Sequence, residues 1–191
     1  MDKNEIVEQM NGFLHDTLVS LCSWLKKRLQ RLSMDYWDGY VLSHLSDMQL
    51  HDVRENHITE LDDLDLAGLL RVTRGNWKAL NSLEPLPKIM YEYLEAMGII
   101  RNNWAHIHTD LPEDKQVINE LKVMEKFLEM ISAPLSVSKE VNDAILRLEN
   151  HLPLDSDTEA LMEENEMLED ENRDLKEENG ELRKQLEKMK K

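Results

Sequence analysis

An all-α fold, a helical bundle followed by a long C-terminal coiled-coil helix, is predicted by three features of the sequence. Apolar residues recur every three or four positions up to about residue 150. No stretch alternates as a strand does, and Gly (6) and Pro (5) are sparse while Met (11) is abundant. Beyond residue 156, Leu161, Leu168, Leu175, Leu182 and Met189 fall seven apart. With 191 residues, 41% hydrophobic and 32% charged, the chain can hold a core of ordinary size plus an extension.

Residues 4–32 read as one long amphipathic helix or two joined end to end. Ile6, Met10, Phe13, Leu14, Leu18, Leu21, Trp24, Leu25, Leu29 and Leu32 hold the period, with Gly12 a soft point. Lys26, Lys27, Arg28 and Arg31 suit the negative end of its dipole. A second helix is expected over 35–48, with Trp37, Val41, Leu42, Leu45 and Met48 inward, and then a weakly helical connection over 49–63. Asp62, Asp63 or Asp65 caps a third helix that runs past Asn76-Trp77 to about Ser82. Pro85 and Pro87 break it, and Pro87 fits the first turn of a fourth helix. Pro112-Glu113-Asp114 opens a fifth, with Val117, Leu121, Met124, Phe127, Leu128 and Ile131 as its stripe. Pro134 stops that helix, and a short sixth over 138–150 uses Val141, Ile145 and Leu148. The expected organisation is a bundle over 1–135, a short helix and linker over 136–156, and a parallel coiled coil over 157–191.

In the coiled coil the leucines take the d positions, while Asn165, Asn172, Asn179 and Leu186 take a. Asparagine at a costs stability but pairs with itself across a parallel, in-register dimer. In that register Glu171 faces Lys176 and Glu178 faces Arg183 of the partner helix, whereas Glu164 meets Glu169 unfavourably. Ser156-Asp157-Thr158-Glu159 has the spacing of a capping box at the start. A homodimer is the expected state.

The formal charge of −16 and a pI near 4.8 exclude a broad basic footprint for nucleic acid, so any RNA contact must be local. Cys22 is the only cysteine, which excludes a disulfide framework and a cysteine zinc cluster. His44, His51 and His57 are not at ligand spacing, and His106 and His108, two apart, make a poor helical metal pair. No metal and no cofactor are therefore expected. The N-terminus has no secretion pattern, and no uncharged run approaches membrane-spanning length. A soluble, cytoplasmic protein without membrane contact is the expectation.

Chemistry concentrates in Ile99-Ile100-Arg101-Asn102-Asn103-Trp104-Ala105-His106-Ile107-His108. Met90, Tyr93, Leu94, Met97, Ile100, Trp104 and Ile107 mark the buried side of the helix that carries it. No acid lies between Met97 and Thr109, a neutral-to-positive window in an acidic chain. Arginine and histidine five positions apart stand about 140° apart on a continuous helix and do not face each other. Asn102 and His106, four apart, share a face. Either the helix ends or bends within the motif, or a second protomer completes the site. The bland alternatives are that Arg101 pairs with an acid such as Asp65, that His106 is a structural histidine, and that Trp37, Trp77 and Trp104 are core.

These residues resemble the ribonuclease motif of the HEPN superfamily: arginine, four to six residues, then histidine, with a polar residue after the arginine. Trp37, the run from Leu64-Asp65-Leu66 through Leu70 to Asn76-Trp77, and Arg101-Asn102-Asn103-Trp104-Ala105-His106 look like the Swt1-like subgroup. That subgroup is named after a eukaryotic mRNA-surveillance endoribonuclease. The resemblance covers about residues 20–131 and does not reach the zipper. It implies metal-independent endoribonuclease activity in a dimer, with the ribose 2′-hydroxyl attacking the adjacent phosphate to leave a 2′,3′-cyclic phosphate and a 5′-hydroxyl. It implies His106 as general acid or base, Arg101 on the phosphate, and Asn102 orienting one of these or touching RNA, whether tRNA or mRNA. Relatives stand in defence and toxin systems or at the front of helicases, so an antitoxin or other protein partner, or a place as the N-terminal module of a larger effector, is also implied. In the branch silenced by a nucleotidyltransferase a tyrosine lies two residues after the histidine. Here that position is His108, so control of that kind is not expected. The alternative function, suggested by the acidic surface, is a non-catalytic dimerisation and interaction module.

Overall fold

A computed structural model of the chain describes residues 3–105, 112–150 and 176, and the described residues are helical with no strand. Helix α1 (Lys3–Leu32) is the spine, touching each of the later long helices that form the core. Its stripe of Ile6, Met10, Phe13, Leu21, Trp24, Leu25 and Leu29 is buried, and Leu14, Leu18 and Leu32 lie at the margin of the same core. Thr17 is fully buried because its hydroxyl donates to the Phe13 carbonyl at 2.8 Å. Gly12 is exposed, and a Cβ there would meet nothing within 4 Å. Gly12→Ala is therefore expected to stabilise the fold by about 0.5–1 kcal/mol, read as a raised urea midpoint with unchanged slope.

The basic residues late in α1 do more than face the dipole. Lys26 pairs with Glu60 and Asp62, and Arg28 bonds Glu84 at 3.1 Å while its guanidinium covers the Trp24 ring at 4.1 Å. The Lys26 pairs tie α1 to residues 60–62, and the Arg28 bond ties it to Glu84, just past the helix that ends at Leu83. Burial, with the Asp62 carboxylate 3.7 Å from its sulfur, pushes the Cys22 thiol up to about 11. Cys22 is thus a core residue and no nucleophile at neutral pH.

The expected helix over 35–48 is replaced by a wide π-turn (Trp37–Val41), a 3-10 turn (Leu42–His44) and a new helix, α2 (Asp47–Glu55). The physical reason is a capping box. The Ser46 hydroxyl accepts the Gln49 amide N–H, and the Gln49 side chain accepts the Ser46 N–H. Starting the helix at Ser46 leaves Met48 76% exposed rather than inward. The stretch expected as a weak connection is thus largely α2 and a 3-10 turn (Leu61–Asp63).

A single third helix was likewise expected. Instead α3 (Leu66–Gly75) and α4 (Trp77–Leu83) meet at Asn76. The buried Asn76 amide donates to Val72 O at 2.8 Å, closing α3, and to Tyr40 O at 2.6 Å, pinning the π-turn. Beside it, Gly75 is needed for close approach, since a Cβ there would lie 2.4 Å from the His44 ring. Helix α5 (Lys88–Ala105) follows Pro85 and Pro87. Helices α6 (Asp114–Met130) and α7 (Leu135–Glu149) then form a hairpin through Ser132, whose φ is 54°. Val141, Ala144, Ile145 and Leu148 of α7 join the common core, so the apolar interior continues past residue 135. The zipper positions Leu161, Asn165, Leu168, Asn172, Leu175, Asn179, Leu182, Leu186 and Met189 lie outside the described residues.

Candidate functional site

Helix α5 buries Met90, Leu94, Met97, Ile100 and Trp104. That stripe fixes where its polar residues emerge. Arg101, one step on from Ile100, comes out at the margin of the core, with its side chain 29% exposed, and Asn102 follows on the open side. His106 and His108 lie outside the described residues.

Arg101 leans on α3. Its Nη2 donates to Asp65 Oδ2 at 2.8 Å, and its Nη1 donates to Asn102 Oδ1 at 3.2 Å. Asp65 is also the N-cap of α3, with Oδ1 accepting the Gly68 N–H at 2.8 Å. One carboxylate thus caps a helix and orients the guanidinium. It also explains why a cation is tolerated at a helix N-terminus, whose dipole has the same sign.

Two hollows meet at Arg101. The larger, about 490 Å³, lies between α2, α3 and α5 and brings Arg71, Arg74 and Arg101 together with Gln49 and Asn102. Asp52, Asp65 and Glu95 line it too. Arg74 Nη1 bonds Glu95 at 3.1 Å, and Arg71 Nε donates to the His44 carbonyl at 2.9 Å. The smaller hollow, about 240 Å³, lies on the α1 side and is lined by Asn11, His15, Leu66, Arg101 and Ala105 among others. Arg101 is therefore a ridge with a polar furrow on one side and a more apolar notch on the other. Such a guanidinium can hold a phosphate ester that lies across the ridge.

The last aromatic of the stretch is structural. Trp104 is 4% exposed, and its indole N–H donates to Glu120 Oε2 at 2.5 Å, a buried carboxylate that also accepts from Gln116 at 3.1 Å. Trp77 packs edge-on against Tyr91 with centroids 5.1 Å apart, and Trp37 packs at the edge of the core. Among the described residues no group of three histidine, cysteine or acidic side chains is placed to hold a metal ion. No described helix is long and apolar enough to cross a membrane.

Arg101 and Asn102 are brought together, and the sequence reading had already named Asp65 beside Arg101. It missed Arg71, Arg74 and Glu95, although the spacing of the two arginines puts them on one face of a helix. It also missed His15, which no local pattern distinguishes from a solvated histidine of an amphipathic helix.

Comparison with curated proteins and with solved structures gives no match. The family model described as Swt1-like HEPN matches residues 15–132, a span that runs from the middle of α1 through α6 and contains the whole arginine–histidine stretch. The chain therefore belongs to the Swt1-like HEPN family, whose domains are generally ribonuclease-related.

Proposed function

We propose that this protein is a metal-independent endoribonuclease in which Arg101, Asn102 and His106 form the reacting centre. The observation that carries the reading is the ridge position of Arg101 within a matched HEPN span, oriented by Asp65 and Asn102 and open to two hollows. Arg101 binds the scissile phosphate and stabilises the charge that develops on it in the transition state. His106 exchanges a proton with the reacting oxygens, as imidazole does near neutrality. The 2′-oxygen bonds to phosphorus as the 5′-oxygen departs, leaving a 2′,3′-cyclic phosphate and a 5′-hydroxyl. The working unit is a homodimer, in which a parallel zipper over 157–191 raises the effective concentration of the two half-sites. A defence or toxin role, with tRNA or mRNA as target and a protein antitoxin as partner, fits this chemistry.

The test is cleavage of end-labelled tRNA and of an mRNA transcript in excess EDTA. Wild type is expected to leave cyclic-phosphate ends, and His106→Ala to leave the RNA intact while remaining a folded dimer. Blank lanes for a folded, dimeric wild type would overturn the proposal in favour of an interaction module. One observation favours that second reading: Arg74 and Arg101 both already hold carboxylates, Glu95 and Asp65. In that case deleting 157–191 removes partner binding, and no cleavage is seen with any variant.

A further inference from the structure

We infer that Arg71 is a second phosphate-binding residue, holding a phosphate of the RNA strand other than the scissile one, in the hollow between α2, α3 and α5. RNA as the ligand rests on the nuclease reading. The choice of residue rests on the ion pairs that frame the hollow, and each protomer carries its own copy of the site.

Two ties set that frame. Asp65, at the start of α3, holds Arg101 near the end of α5 at 2.8 Å. Arg74, near the end of α3, holds Glu95 in the middle of α5 at 3.1 Å, so the two helices run antiparallel. Between the ties stand Arg71 on α3 and Gly98 on α5, and both line the hollow of about 490 Å³. A Cβ on Gly98 would meet nothing within 4 Å, so α5 leaves the space beside Arg71 open. A hollow of this volume is ordinary for a small-ligand site.

The three arginines of the hollow differ in what they already hold. Arg74 and Arg101 each have a carboxylate. Arg71 is exposed and makes no ion pair among the described residues. Its Nε donates to the His44 carbonyl at 2.9 Å, which steadies the side chain and leaves the two Nη groups for a ligand. A guanidinium held in this way loses less freedom on binding, and its remaining fork matches a phosphate. Arg101 reaches the start of α3, and Arg71 stands about 9 Å further along that helix, at a rise of roughly 1.5 Å per residue. Drawn toward His44 as well, it serves a different phosphate from the one on Arg101.

The remaining walls bear on the same ligand. Met48 and Ile99 line the hollow while 76% and 63% exposed, apolar surface that a sugar or base can cover. Asp52 acts in the opposite sense. Its carboxylate makes no ion pair among the described residues and lines the same space, so it repels the phosphate that Arg71 attracts. The two residues therefore make predictions of opposite sign.

The test measures binding of a labelled 2′-O-methyl oligoribonucleotide, whose blocked 2′-oxygen prevents cleavage, across a salt series. The proteins are the full chain as wild type, Arg71→Gln, Asp52→Asn and Arg54→Gln. Arg54 is an exposed arginine of α2 that does not line the hollow, so its variant controls for net charge. Arg71→Gln is expected to weaken binding by about tenfold or more, the scale of a charge-assisted contact. It should also flatten the plot of log affinity against log salt by about 0.7, one phosphate contact on a single strand. Asp52→Asn is expected to tighten binding by about two- to fivefold, and Arg54→Gln to change little. On cleavable RNA, Arg71→Gln should raise KM and leave kcat near wild type. An active wild type with Arg71→Gln unchanged in affinity and slope would sink the Arg71 assignment and leave the nuclease reading standing. Arg71-dependent binding by a wild type that never cleaves would support the assignment and overturn the nuclease reading instead. Equal losses in Arg71→Gln and Arg54→Gln would reduce the effect to net charge and refute the site. If Arg71→Gln does not fold, Asp52→Asn carries the test, and unchanged affinity there overturns the site. Calorimetry with adenosine monophosphate separates a strand from a free nucleotide. Arg71-dependent uptake of the nucleotide, with no Arg71 dependence for the oligonucleotide, would overturn the strand assignment.

Discussion

Arg101→Ala is expected to lower the rate of RNA cleavage by about 10²–10³-fold, the usual effect of removing one donor aimed at charge developing in a transition state. The fold should barely notice. The Arg101–Asp65 pair is open to solvent, half-buried on the arginine side and exposed on the aspartate side, at 29% and 55%, and such pairs contribute about 1 kcal/mol or less. A companion variant separates catalysis from architecture. Asp65→Asn keeps an N-cap acceptor for the Gly68 N–H but removes the charge that holds Arg101. If Arg101 served only as a partner for Asp65, the two variants would behave alike in both stability and cleavage. If it binds the scissile phosphate, Arg101→Ala loses activity and Asp65→Asn keeps most of it. Urea unfolding and single-turnover cleavage of the same preparations decide the matter.

The second large effect is on stability, in the same ten-residue stretch. Trp104→Ala is expected to cost about 3–5 kcal/mol, the range for deleting a buried aromatic from a core. It also strips the indole N–H from Glu120, a 9% exposed carboxylate, leaving Gln116 as its remaining side-chain donor among the described residues. Trp104→Phe isolates that second part. The ring mostly remains, so its cost of about 1–3 kcal/mol is that of a buried acceptor losing its donor. Replacing Glu120 by Leu in the Trp104→Phe background should recover part of the loss, because removing both polar partners is far cheaper than removing one. A double-mutant cycle in urea that showed simple additivity would mean that the Trp104–Glu120 bond contributes nothing.

The same two residues illustrate what was legible in the sequence. Trp104 read as core from its place in the Met90–Leu94–Met97–Ile100 stripe, and core it is. Arg101 read as special because two amides follow it and no acid lies near it in sequence. Its pairing with Asp65, thirty-six positions away, was one of the readings left open. Periodicity failed where a local hydrogen bond competed with it. The stripe through Trp37, Val41, Leu45 and Met48 fits one helix, yet the Ser46–Gln49 capping box starts a new one and leaves Met48 outside. Asn76 did the same to the third helix, by turning its amide on Val72 O and Tyr40 O.

By itself, then, the sequence determined the helical class, most of the helix faces and the family resemblance. Each of those depends on residues close together along the chain. Tertiary structure alone decided which side chains share space with Arg101. Asp65 and Arg74 reach it from α3, Glu95 from the preceding turns of α5, and His15 from the far side on α1. Those meetings follow from how α1 and α3 pack on α5, and hydrophobic burial, which drives that packing, is indifferent to which polar residues it brings to the rim.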